Sequence, residues 1–196
     1  MTAVAILGGG FIGYKEIFLS GIEELPNRPC KQGVQRSTAS NVLPAARNVE
    51  ESSRQTLLRE GDFLFHCAIM ISGESSLSVN VRSADVKLAK WKDFYRASLK
   101  GKEVDLSGEP ATVSWPRETV IYMRCTPPGR KASSALETYA LNVDAKIVGE
   151  ARISGTELRQ QLTEFALQAA EHSHKAAKCQ EAISFPDTPP RVDASR

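Results

Sequence analysis

Seven basic residues, Arg82, Lys87, Lys90, Lys92, Arg96, Lys100 and Lys102, fall in a stretch that holds only two acids, Asp85 and Asp93. Trp91, Phe94 and Tyr95 lie among them. Cations neutralise phosphates and aromatic rings stack on bases, so this interleaving suits single-stranded nucleic acid. On a helical wheel Trp91 and Tyr95 join Leu88 and Leu99 in one apolar stripe, which predicts that Trp91 is core. Phe94 falls with Lys87 and Lys90, roughly 100° away. The candidate nucleic-acid site is therefore Arg82, Lys87, Lys90, Lys92, Phe94, Arg96, Lys100 and Lys102, with a plain solvated basic face as the competing reading.

The rest of the inventory assembles no catalytic group. His66 sits in an apolar run, as a hydrogen-bonded core histidine does, and strand neighbours such as Cys67 point to the opposite face. His172 and His174, two apart on a helix, diverge by about 200° and cannot share one metal ion. No C-x-x-C, P-loop or H-E-x-x-H occurs. No catalytic residue, no metal and no cofactor are expected. Cys30, Cys67, Cys125 and Cys179 are widely spaced and read as reduced, partly buried thiols rather than a disulfide framework. Their even number leaves an oxidised form open.

Gly8-Gly9-Gly10-Phe11-Ile12-Gly13 follows a short apolar strand candidate, Thr2 to Leu7. Glycines so spaced let backbone amides approach a pyrophosphate at a helix N-terminus. The run Ala5 to Gly13 resembles the opening of a nicotinamide- or flavin-binding domain, which implies Gly8, Gly10 and Gly13 as the cradle of a dinucleotide-dependent enzyme. Such a domain needs a second parallel strand ending in an acid. Pro26 to Gly33 is no strand, and no β-α alternation follows. The apolar residues of the same stretch, Ile6, Phe11, Ile12 and Phe18 among them, are expected to be buried against the chain's own core or a neighbouring subunit.

The scaffold that must position these residues is bounded by composition. The chain has 196 residues, 41% hydrophobic and 24% charged, which suits one core of ordinary globular make-up. A net charge of +2 gives no strong overall field, so a nucleic-acid site would have to be a local patch. The longest apolar run, Phe63 to Ile71, is too short to cross a bilayer as a helix. No basic region precedes the first apolar stretch, unlike a secretory signal. The expectation is a cytoplasmic protein without membrane contact.

Periodicity predicts helices over 44–59, 86–99 and 154–180. Strands are predicted over Phe63 to Ile71, Leu77 to Arg82, Thr119 to Cys125 and Tyr139 to Val148, with a short one at Ala151 to Ile153. The first two strands read as a hairpin. Residues 26–42 read as a loop or extended arm. The fold expected is α+β: a mostly antiparallel sheet over about residues 62–153, covered by two or three helices, with extended N- and C-terminal arms. The division is an arm 1–43, a domain 44–183 and a proline-rich flexible tail 184–196. Arms rich in Gly, Pro, Ser and Asn gain most by ordering against a partner. A non-enzymatic structural or adaptor subunit of a homo- or hetero-oligomeric assembly is thus the first functional expectation. Nucleic-acid binding comes second and the dinucleotide enzyme third.

Overall fold

The computed structural model describes residues 21–58, 62–71, 75–95, 102–104, 110–131, 139–186 and 191–192. A short 3-10 turn, Gly21–Glu24, leads to helix α1, Arg36–Val42. Strands β1 (Val49–Leu57), β2 (Phe63–Ile71) and β3 (Ser75–Asp85) follow, then helix α2, Leu88–Asp93. Strands β4 (Lys102–Val104), β5 (Ala111–Trp115), β6 (Glu118–Arg124) and β7 (Tyr139–Val148) precede the long helix α3, Gly155–Ala176. The strands form one antiparallel sheet in the order β1-β2-β3-β7-β6-β5-β4. Two meanders thus join where β3 pairs with β7. The fold is α+β.

Alternation explains the inner face. Phe63, Phe65, Cys67 and Ile69 of β2, Leu77, Val79 and Val81 of β3, and Leu141, Val143, Ala145 and Ile147 of β7 all point one way and are buried. Helix α3 covers them with Leu158, Leu162, Phe165 and Ala169, its apolar stripe. Both Trp91 and Leu162, expected in the core from their stripes, are buried. Strand β6 is buried on both faces. Its Ile121 and Met123 meet the inner core, while Val120 and Tyr122 join Ala111, Val113 and Ala140 on the outer face. There Trp91 of α2 closes a second, smaller core.

Four expectations are corrected. Residues 49–57 are strand, not helix, although Glu50, Glu51, Arg54 and Gln55 are good helix formers. Nine consecutive pairings with β2 override propensity. Residues 26–42 are not an extended arm: 26–35 are turn and loop, but α1 follows them, and Cys30, Val34, Ala39 and Val42 are fully enclosed in the core. Gln168 of α3 anchors this segment, its amide nitrogen donating to Thr38 Oγ1 at 3.1 Å and its oxygen accepting the Gln35 N–H at 2.8 Å. The cysteines are not reduced thiols. Cys30 pairs with Cys67 and Cys125 with Cys179, leaving none free. Lastly, Ala151 to Ile153 forms no strand. In the tail, Val192 is buried and its N–H donates to Gln160 Oε1 at 2.7 Å.

Candidate functional site on the outer sheet face

Helix α2 covers only the β5-β6-β7 half of the outer face. Over β1, β2 and β3 that face carries mostly polar side chains and, apart from the buried Ala68, is exposed or half-buried. The register sets its side chains in cross-strand rows. One row runs Arg54, His66, Asn80, Asp144 and then Val120. At about 4.8 Å per strand its four polar members span roughly 14 Å. The row on one side holds Thr56, Leu64, Arg82 and Asn142; the row on the other holds Ser52, Ala68, Ser78, Lys146 and Glu118. A further row aligns Glu50, Met70, Ser76 and Val148.

Packing fixes the centre of this surface. His66 Nδ1 lies 2.8 Å from Asn80 Oδ1. Where α2 ends, the Trp91 indole N–H donates to Asn142 Oδ1 at 2.7 Å. The Tyr95 hydroxyl also bonds the Asn142 side chain, and burial pushes this phenol up, with the Asp144 and Glu118 charges in the same sense. Burial likewise raises the Glu118 carboxyl, followed by the charge of Asp144, to which it is hydrogen-bonded, with Lys146 opposing. Asp144 Oδ1 is enclosed without a hydrogen-bond partner among the described residues. Three apolar side chains surround the polar rows: Leu64 is 39% exposed, Met70 38% and Val148 54%. The arrangement sets fixed donors and acceptors between exposed apolar side chains.

A shallow groove of about 300 Å³ lies on the other side of the molecule, lined by Arg28, Gln35, Glu164, Gln168, His172 and Lys175 among others. His172 packs against Phe65 at 5.1 Å, and its Nε2 lies 2.9 Å from Gln55 Oε1. Gly33 must be glycine here, because a Cβ would sit 3.2 Å from the His172 ring and 2.9 Å from the Cys30 carbonyl oxygen. Burial, then the charges of Arg28 and Lys175, hold the His172 imidazole below its usual 6.5. His174 is lowered too, chiefly by burial. The unfolded chain therefore takes up these protons more readily than the folded one. Stability present above pH 6.5 is lost as pH falls through the window below it, toward the lowered folded values. The melting temperature should drop on crossing that window, and His172→Gln should flatten the drop. An unchanged slope in the variant would contradict this.

The basic segment is only partly gathered. Arg82 lies on the outer face in the Leu64 row, Lys87 precedes α2, and Lys90 is exposed on it. Phe94 is 56% exposed and edge-on to Tyr95 at 5.0 Å. Lys92 is half-buried and Lys102 begins β4. Arg96 and Lys100 lie outside the described residues, as do Gly8, Gly10, Gly13, Ile6, Phe11, Ile12 and Phe18. Sequence reasoning missed the outer-face rows. Their one local signal was the even-numbered phase of β2, which puts His66 on the same face as Leu64 and Met70.

Among the described residues no group of three or more His, Cys, Asp or Glu side chains is placed to hold a metal ion. No helix among them is long and apolar enough to cross a membrane. Compared with known proteins, the chain matches no family model, no curated protein and no solved structure.

Proposed function

We propose that this chain is a non-enzymatic recognition subunit of a larger assembly, binding a protein partner through the uncovered β1-β2-β3 half of its outer sheet face. The observation that carries the reading is the set of exposed apolar side chains, Leu64, Met70 and Val148, around polar rows already held by His66–Asn80 and Trp91–Asn142 bonds. Pre-ordered side chains lose little entropy on binding. Exposed apolar anchors of this kind supply much of an interface's energy once a partner buries them. The two disulfides support an oxidising compartment as the place of action. The expectation of a cytoplasmic location rested on the lack of a secretory-signal pattern and of a membrane-length apolar run, with the cysteines read as reduced thiols.

A photo-crosslinking residue at Met70 should give a discrete adduct with the partner, and one at Lys178, beyond the end of α3, should not. Val148→Lys should weaken that adduct roughly tenfold, the loss of one anchor. The same substitution should change stability by no more than about 0.5 kcal/mol, since Val148 is exposed. Adducts of equal yield from both positions would remove the outer face as the site.

A further inference from the structure

Among the described residues β1 is the last strand of the sheet, and its far side has no backbone partner. The Leu58 N–H donates to the Asp62 carbonyl at 2.8 Å, one step beyond the pairing of Leu57 with Phe63. This sets the phase of the ladder: even-numbered residues of β1 bond to β2. The N–H and C=O groups of Val49, Glu51, Ser53, Gln55 and Leu57 therefore point away from the sheet. Natural edge strands are usually guarded by shortness, proline, lysine or a bulge. Strand β1 is nine residues long, has no proline and no lysine, and pairs with β2 residue for residue.

Its outer-face side chains carry a self-complementary pattern. Glu50, Ser52 and Arg54 follow at the two-residue period and all are exposed. Neither Glu50 nor Arg54 has an ion-pair partner among the described residues. Consider two such strands laid antiparallel about a two-fold axis through Ser52. Glu51 and Ser53 then meet in hydrogen-bonded pairs, the phase that the far side of β1 presents. Glu50 of each copy faces Arg54 of the other in the closer, non-hydrogen-bonded position, where cross-strand charge pairs act most strongly. An axis through Ser53 also satisfies the backbone. It sets Arg54 against Ser52 and Glu50 against Thr56, with no charge pair.

We propose that two copies of this chain associate edge to edge through β1, antiparallel, with Glu50 of each against Arg54 of the other, so that the two sheets become continuous. The edge is a different surface from the outer face, so this contact stands or falls apart from the partner site proposed there.

Light scattering on the full chain should show a dimer. Glu50→Arg and Arg54→Glu should each place like charges together twice, and each should weaken the dimer by roughly tenfold or more. The double variant Glu50→Arg/Arg54→Glu restores the pairing and should dimerise like the parent, with circular dichroism confirming that all variants fold. Mild oxidation of Ser52→Cys should give a covalent dimer, whereas Ser53→Cys, opposite Glu51, should not. A parent that stays monomeric, a double variant as weak as the singles, or faster cross-linking by Ser53→Cys would each overturn the proposal. None of these results bears on the Met70 adduct.

Discussion

Phe165→Ala should cost about 3–5 kcal/mol of stability, and Leu162→Ala about 2–5 kcal/mol. Both side chains are fully buried on the inner stripe of α3, in the cluster formed by Ile121, Met123, Leu141 and Val143. A truncated side chain there leaves a cavity bounded on one side by sheet and on the other by a helix of 22 residues. The helix packs on β3, β5, β6 and β7 at once, so it cannot sink locally into a gap without losing contacts elsewhere. Hence little of the cavity should collapse, and the cost should fall toward the upper part of the range. In urea the midpoint should drop with the slope unchanged, because the surface exposed on unfolding is nearly the same. A loss within about 0.5 kcal/mol for either variant would mean that α3 does not sit on the sheet.

How much of this was legible depends on how locally each element is specified. Strands β2, β3 and β7 could be read because their burial alternates or runs continuously over nine or more residues. Helix α3 could be read because its stripe is long, although Ser154, at its N-cap, makes no side-chain capping bond. Strand β1 could not. Its residues Glu50, Ser52 and Arg54 face solvent, so no apolar alternation marks it, and its state is set by pairing with β2. Helix α1 was hidden by small polar residues, Ser37, Thr38 and Ser40. Burial of Thr38 and Ala39 against α3 is a tertiary fact. The outer-face surface draws Arg54, His66, Asn80 and Asp144 from four strands and leaves no linear motif. Four cysteines allow three pairings, and spacing alone cannot choose among them.

Removing Cys125–Cys179 should cost more than removing Cys30–Cys67. The two bonds span 54 and 37 residues. By chain entropy in the unfolded state each is worth about 4 kcal/mol, with the longer loop slightly ahead. Local structure widens the gap. Cys30, Lys31 and Gln32 all have left-handed backbone, with φ of 60°, 56° and 67°. Each such residue costs roughly 1–2 kcal/mol. The turn is held by its disulfide and by the Cys30 N–H donating to Glu51 Oε1 at 2.8 Å. Without the disulfide it can relax, which recovers part of the loss. Beside the other bond a single non-glycine residue, Lys178, has left-handed backbone, with φ of 56°, so less strain is released there. Around it the chain is already in place: the Thr126 N–H and hydroxyl both donate to Glu181, and Gln180 donates to the Pro127 and Arg130 carbonyls. Those bonds hold Glu181 below its ordinary range against the effect of burial. For a chain of this length about 4 kcal/mol corresponds to a melting-temperature drop of roughly 8–16 °C. The Cys125→Ala/Cys179→Ala variant should show that drop, and Cys30→Ala/Cys67→Ala a smaller one. Equal melting temperatures for the parent and the Cys125→Ala/Cys179→Ala variant would show that this crosslink does not restrain the unfolded chain, and the reverse ranking would show that the left-handed turn does not relax.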